Sequence, residues 1–262
     1  MKVRTSRRIL LWLAIVVVGT MTLLALAGNQ EARRELPAQV VVWTMIGLMF
    51  VAGWWFKVRP RRELHRDQAG SLRLTTVAGD PLGFSQRPFV LLGQISTAKD
   101  IESTSWGTWR GMDVAVFDYW FARSGRLERS DYLYWTCASM PVPTGWPDIS
   151  IVPERLWSRL ARLVGEPHVE FELESFNRAF QVRSRDRRFA SALIDARMIE
   201  WLLGLPVGTG VEILGGTLLC QTPRRPEGDV RWALETMAAF TSRVPPAAGS
   251  LYGQSQPPGL YT

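Results

Sequence analysis

The stretch from His168 to Leu203, HVEFELESFNRAFQVRSRDRRFASALIDARMIEWLL, carries the densest pattern of order in the chain. Its first residues alternate between apolar and acidic types, which is the period-two pattern of a β-strand. The alternating residues are Val169, Phe171 and Leu173 on one face and Glu170, Glu172 and Glu174 on the other. After a tight turn, residues 176–182 predict a second strand, and an apolar helix follows up to residue 203.

The start of that helix is marked by two residues that commonly cap helices. Ser184 and Asp186 precede the apolar run, and either side chain can accept a hydrogen bond from a backbone N–H in the first turn. The stretch therefore predicts the order strand, turn, strand, helix.

The charge of the chain is unevenly distributed. The 262 residues are 47% apolar and carry a formal net charge of +7. Residues 1–8 contain four Lys and Arg residues, and residues 57–66 carry a net charge of +4, so residues 67–262 are close to neutral. Nucleic-acid binding needs a basic face on the folded domain, so we expect no nucleic-acid partner.

Two segments, residues 9–27 and 40–56, are almost wholly apolar. A helix rises about 1.5 Å per residue, so the first segment is long enough to cross a bilayer core of about 30 Å. The second is near the lower length limit, and the turn between them is too short for a domain. Residues 1–56 therefore predict a transmembrane helical hairpin, with the lipid bilayer as a partner.

The flanking charges predict the orientation of this hairpin. Four Lys and Arg residues precede the first span, two lie between the spans and five follow the second. By the positive-inside rule, both termini are cytoplasmic in a multi-pass protein of the cell membrane. A rival interpretation is a twin-arginine signal at Arg7-Arg8, but the apolar run is nearly twice the length typical of a signal peptide. The large domain is cytoplasmic in either case.

The rest of the chain divides by composition. Residues 57–87 are expected to be a basic juxtamembrane linker, because KVRPRRELHR is followed by glycines and a proline. Residues 88–243 predict an α+β domain with a largely antiparallel sheet and about three helices, since hairpins outnumber βαβ crossovers. The tail, residues 244–262, is rich in Pro, Gly and Ser and is expected to be disordered.

No familiar catalytic or nucleotide-binding motif occurs in the sequence. The patterns GxxxxGK[ST], GxGxxG and GxSxG are absent. Cys137 and Cys220 lie in apolar runs without CxxC spacing, which indicates buried thiols rather than a zinc site. A catalytic triad would need His168 to meet a serine and an acid through folding. We predict no catalytic residue, no cofactor and no metal ion.

The acidic residues at the start of the central stretch are the feature most like a site. Three carboxylates on one strand face repel each other, so cationic side chains are expected beside them. A solvated face with salt bridges is the more frequent explanation, and a metal or acid–base site is the alternative. The candidate surface or ligand site comprises Glu170, Glu172, Glu174, Arg178, Asp186 and Arg197.

Three runs also resemble a known group of proteins. They are FELESFNRAFQV at 171–182, DRRFA at 186–190 and ARMIEWLL at 196–203. Over about residues 85–222 the chain resembles an uncharacterised family of actinobacterial membrane proteins. The resemblance implies a two-span anchor with one cytoplasmic domain of unknown function, and it assigns no activity and no catalytic residue.

These features favour a membrane-anchored interaction or adaptor domain without catalytic activity, whose protein partner the sequence does not identify. The alternative is an enzyme or small-ligand-binding domain with a non-standard site near Glu170, Glu172 and Glu174 and the neighbouring arginines. Such a site would need a deep pocket with at least two convergent ionisable groups.

Overall fold

In the computed structural model, the described residues are 47, 59–92, 99–122, 132–154, 167–225 and 228–252. The chain divides into two units, Met1–Glu63 and Leu64–Thr262. The described part of the first unit is Gly47 and the first residues of helix α1. The account below concerns the second unit.

The second unit is built from nine described strands and six described helices, the first of which begins in the unit before. The helices are α1 (Arg59–Ser71), α2 (Glu174–Ala179), α3 (Arg187–Leu193), α4 (Ala196–Leu203), α5 (Val230–Arg243) and α6 (Pro246–Leu251). The strands are β1 (Thr75–Ala78), β2 (Lys99–Trp109), β3 (Met112–Ala122), β4 (Tyr132–Pro141), β5 (Ile149–Pro153), β6 (His168–Val169), β7 (Phe180–Ser184), β8 (Gly210–Leu214) and β9 (Thr217–Pro223). Two short 3₁₀ turns cover Phe84–Gln86 and Val90–Leu92.

All nine strands belong to one antiparallel sheet, in the order β1-β2-β3-β4-β9-β8-β5-β7-β6. Its central strands are apolar on both faces, which is typical of a sheet covered on both sides. In β3, Val116 faces the core beneath the helices, whereas Phe117 faces the opposite core. Gly215 and Gly216 form the two-residue turn between β8 and β9.

Different elements cover the two faces. Helix α5 packs on β3, β4 and β9, and its side chains Leu234, Met237 and Phe240 are fully buried. The segment 84–92 covers the other face, where the Phe84 ring stacks on Phe117 with centroids 4.6 Å apart. The sheet is therefore the middle of three layers.

The structure corrects the predicted transmembrane hairpin, and with it the predicted multi-pass membrane location and the bilayer as an integral partner. No helix in the described ranges is long and apolar enough to cross a membrane. The longest of them, α5, has 14 residues, whereas a span needs about 20 apolar residues. The two segments that predict spans, 9–27 and 40–56, lie outside the described residues apart from Gly47.

Residues 57–87 also differ from the expected linker. They contain α1 and β1, and β1 pairs with β2 from Thr75 to Ala78. In α1, His65 and Ala69 lie one helical turn apart and are at most 1% exposed. Because side chains four residues apart share one helix face, α1 has a buried face despite its many charges.

The alternating start of the central stretch forms less strand than its pattern predicts. Strand β6 covers two residues, and the chain then enters α2. Phe176 and Phe180 are four residues apart and pack in one core, with ring centroids 5.4 Å apart. The side chain of Asn177 donates to the carbonyl of Phe171 and accepts from its N–H, at 2.6 and 3.0 Å. These bonds hold the turn into α2 in place of strand pairing.

The helix predicted to run to residue 203 is divided into two. Asp186 is confirmed as the N-cap of α3, where it accepts from the Phe189 N–H at 2.9 Å. Asp195 caps α4 in the same way and accepts from the Met198 N–H at 2.8 Å. A second capping aspartate within the apolar run therefore begins a new helix.

The tail contains structure that its composition does not predict. Residues 246–251 form α6, in which Ala248 is fully buried. The ring of Tyr252 packs edge-on against Phe189, with centroids 4.9 Å apart, and its hydroxyl donates to Asp186 at 2.7 Å. Residues 253–262 lie outside the described residues.

Gly210 in β8 gives a test of this packing. A Cβ placed there lies 2.7 Å from Cδ2 of Leu91 and 3.2 Å from the carbonyl oxygen of Ile151. We expect Gly210→Ala to lower the free energy of unfolding by about 1–3 kcal/mol, because a well-packed core resists added volume. Urea unfolding followed by circular dichroism measures this change.

Gly249→Ala in α6 is the matched control, because a Cβ there meets no described heavy atom within 4 Å beyond its own helix turn. Alanine is the better helix former, so we expect an unchanged or slightly higher stability. Equal stability of the two variants would contradict the packing described for β8.

Candidate functional site

A chain of buried polar side chains lies on the sheet face that the helices cover. Nε2 of His65, in α1, is 2.9 Å from Oγ of Ser105 in β2. Nδ1 of the same ring is 3.4 Å from Oδ2 of Asp118 in β3. All three side chains are at most 1% exposed. A serine, a histidine and an aspartate therefore lie in a row inside the fold.

Strand register brings these residues together. Ser105 is opposite Val116 in the β2–β3 pair, and Asp118 is two residues further along on the same face. Thr76 of β1 is opposite Ser105, and the two hydroxyl oxygens are 2.9 Å apart. His65 approaches from the helix layer. We call the whole group the polar cluster: His65, Thr76, Glu102, Ser105, Asp118, Thr136, Arg224 and Asp229.

Asp118 is the centre of the polar cluster. Its Oδ1 accepts from the hydroxyl of Thr136 at 2.7 Å, and its Oδ2 is 3.1 Å from Nη2 of Arg224. The same Nη2 is 2.6 Å from Oε2 of Glu102. One guanidinium therefore joins two carboxylates, one of them almost fully buried.

Thr136 lies between two acidic groups. Its hydroxyl oxygen is also 3.1 Å from Oδ2 of Asp229, the residue before α5. Both carboxylate oxygens of Asp229 are 2.8 Å from the backbone nitrogen of Arg225, which donates to them. The polar cluster thus reaches the start of α5.

The surroundings of Arg224 stabilise its charged form. Burial lowers the pKa of Arg224, but the charges of Asp118 and Glu102 and the hydrogen bonds to both raise it by more, so the net shift is upward. Its guanidinium also lies 5.3 Å from the centroid of the Tyr134 ring. Arg224 therefore stays protonated and supplies a fixed positive charge.

The order of hydroxyl, imidazole and carboxylate is that of nucleophile, base and orienting acid in acyl-transfer enzymes. Here the hydroxyl of Ser105 has no exposed surface, and it also contacts Thr76. A substrate would reach it only if α1 or β1 moved away from the sheet. In the observed conformation the polar cluster joins α1 and β1 to the sheet.

The six residues of the sequence-predicted site fall into separate places. Glu170, Glu172 and Glu174 are exposed, and Glu174 pairs with Arg178 along α2. Asp186 caps α3, and Arg197 pairs with Asp195 at 3.3 Å. His168, the histidine that the sequence favours for a triad, has Nδ1 3.2 Å from the carbonyl oxygen of Val182. The structure does not bring these six residues into one converged site.

An open pocket of about 620 Å³ lies beside Asp186, lined by Pro147, Asp148, Arg185, Asp186 and Arg187. Its two carboxylates are already engaged by the backbone. Asp148 accepts from the Gly215 N–H at 2.8 Å, and hydrogen bonds from Phe189 and then Tyr252 lower the pKa of Asp186. Within the described ranges, no set of three His, Cys, Asp or Glu residues is arranged as a metal site.

Sequence reasoning missed the residues of the polar cluster. His65 lies in a stretch interpreted as a linker, and Ser105 is one of many serines. One signal was present. Asp118 lies within the aromatic run VAVFDYWF, and a charged residue inside a strand covered on both faces must have a buried partner.

Comparisons with known proteins identify no family for this chain. No family model matches it, and no curated protein matches it. A solved structure that matches is the crystal structure of the mycobacterial trehalose monomycolate transport factor A, TtfA. The two chains are 14% identical with a TM-score of 0.48, and the match covers 71% of this chain and 94% of that one. A likeness at this level carries no argument about function, and the resemblance to an uncharacterised actinobacterial family stays a prediction.

Removing Arg224 tests whether the polar cluster stabilises the fold. We expect Arg224→Met to lower the free energy of unfolding by about 3 kcal/mol, because Glu102 and Asp118 then lose their shared cation. Arg197→Met is the matched control. The Arg197 side chain is 79% exposed, and its pair with Asp195 contributes less than about 1 kcal/mol. Urea unfolding at neutral pH measures both, and similar losses would contradict this role.

Proposed function

We propose that residues 64–262 act as a non-catalytic module that binds another protein. The observation that carries this proposal is an exposed apolar turn between α4 and β8, which we call the turn patch: Leu203, Leu205, Pro206 and Val207. Val207 is 75% exposed and Leu203 is 38% exposed. Large apolar side chains grouped on a surface commonly mark a protein-binding site.

The turn patch is held by its own hydrogen bonds. Gly204 N–H donates to the carbonyls of Glu200 and Trp201, at 3.2 and 3.1 Å. The hydroxyl of Thr209 donates to the carbonyl of Pro206 at 2.8 Å. A patch that is ordered before binding loses little conformational entropy on association, so its apolar surface contributes more of its burial to affinity.

The base of the turn is equally fixed. Gly208 has φ = +100°, and a Cβ there lies 3.0 Å from the ring of Trp135. At the other end, the guanidinium of Arg243 lies 5.2 Å from the centroid of the Trp201 ring. This arrangement favours a partner that presents an apolar segment to Leu203 and Val207.

The buried state of the polar cluster supports the absence of catalysis. A nucleophile or base must reach its substrate, and Ser105, His65 and Asp118 are at most 1% exposed. A second candidate function is acyl transfer by Ser105. One observation favours it, which is that Ser105, His65 and Asp118 lie in a row in that order. It predicts hydrolysis of a simple p-nitrophenyl ester that is lost in Ser105→Ala, whereas the interaction module predicts no difference between the two proteins.

The turn patch is tested by affinity purification of the full-length protein from its native cells. We expect a partner that binds the wild type to be retained at least about tenfold less by Leu203→Asp/Val207→Asp, because buried charges replace apolar anchors. Leu173→Asp is the matched control, since Leu173 is 46% exposed and lies outside the turn. Quantitative mass spectrometry gives the ratio of partner to bait.

Circular dichroism and urea unfolding establish that the variants remain folded. A partner that binds the double variant as well as the wild type would exclude the turn patch. If the wild type retains no partner at all, the interaction function itself is contradicted.

A further inference from the structure

A second surface, independent of the turn patch, lies at the end of the sheet. Strand β1 is the first strand in the sheet order, and among the described strands it pairs with β2 alone. Thr75, Val77 and Ala78 are exposed, with Val77 at 41%. The outer edge of β1 therefore presents backbone groups and an apolar side chain.

The register identifies which backbone groups point outward. The Gly79 N–H donates to the carbonyl of Glu102 at 3.1 Å, and these residues continue the β1–β2 register. In an antiparallel pair, hydrogen-bonded and non-hydrogen-bonded positions alternate. Thr75 and Val77 therefore bond to β2, whereas the N–H and C=O groups of Thr76 and Ala78 point away from the sheet.

Apart from its shortness, β1 lacks the usual protections against strand pairing. Exposed edges are commonly blocked by a charged residue, a proline or a bulge. The sequence of β1 is Thr-Thr-Val-Ala, which contains neither charge nor proline and has three residues suited to strands. The edge is short, so any strand that adds to it must pair with the outward N–H and C=O groups of only two residues, Thr76 and Ala78.

A second copy of β1, running antiparallel, presents the backbone groups that pair with those of Thr76 and Ala78. With a two-fold axis at Val77, Thr76 of each copy lies opposite Ala78 of the other, and the outward groups form four hydrogen bonds. The two Val77 side chains then meet at a non-hydrogen-bonded position, where Cα atoms approach to about 4.5 Å. Arg73, which is exposed, comes within one residue of the position opposite Asp80, whose carboxylate also accepts from the N–H groups of Phe84 and Ser85.

We propose that this protein forms a homodimer by antiparallel pairing of β1 with β1 of a second copy, centred on Val77. The contact is isologous, so it closes at two chains. Its four hydrogen bonds and one apolar pair make it a small interface, which is typical of a weak dimer. The pairing joins two sheets into one and covers the exposed Val77.

A cysteine at the two-fold axis tests the register. In full-length Val77→Cys, the two new thiols lie at a Cα separation of about 4.5 Å, which is within the range for a disulfide. The native Cys137 and Cys220 are fully buried and free, so they do not compete. We expect mild oxidation to convert most of the chains to a disulfide-linked dimer on a non-reducing gel.

Thr75→Cys is the matched control on the same face of the same strand. In the proposed register Thr75 lies opposite Gly79, so the two Thr75 positions are about 13 Å apart along the strands. We expect it to cross-link at least about tenfold more slowly than Val77→Cys. Equal rates would mean random collision and would overturn the register.

Ala78→Pro added to Val77→Cys gives an independent test. The proline removes an outward N–H that makes no bond to β2, so the monomer keeps its sheet while the dimer loses two of its four bonds. We expect cross-linking to fall at least about tenfold, with the unfolding midpoint of the reduced protein unchanged. A Val77→Cys protein that stays monomeric, or that cross-links to a different protein instead of itself, would overturn the homodimer.

Discussion

The ion pair between Asp118 and Arg224 is the constraint on which the arrangement of the sheet depends. Asp118 is 1% exposed on a central strand, and moving a carboxylate out of water costs several kcal/mol unless a cation and hydrogen-bond donors compensate. Arg224 follows β9, Thr136 lies in β4 and His65 lies in α1. The cost of burying the Asp118 carboxylate is therefore offset only when β9, β4 and α1, which are distant in the chain, are all in place.

The same carboxylate fixes strand register. A slip of one residue in β3 would turn Asp118 toward Phe84 and Leu91 and away from Arg224, and would turn Phe117 toward Arg224. Apolar strands covered on both faces resist such slips weakly, because either face accepts an apolar side chain. The charge supplies the specificity that the apolar residues lack.

Apolar patterning predicted the parts of the fold that depend on local periodicity. The largely antiparallel sheet and the cap at Asp186 follow from residues close together in sequence. The spacing of Phe176 and Phe180 does not distinguish a strand from a helix. Four residues is a multiple of the strand period and about one helical turn, so both structures bury the pair. Of the polar cluster, Asp118 alone carried a signal in the sequence; its partners are far apart along the chain and no motif links them.

The position of β9 in the sheet has a consequence for how the chain folds. Strand β4 pairs with β9 from Trp135↔Pro223 to Pro141↔Thr217, although four strands, β5 to β8, and three described helices, α2 to α4, separate them in sequence. Strands β1 to β4 form a meander of neighbours that can assemble early during synthesis. Its β4 edge then stays unpaired until the ribosome has delivered β9, and such non-local pairing is slow. During that interval the β4 edge of the nascent chain is open to pairing with another chain.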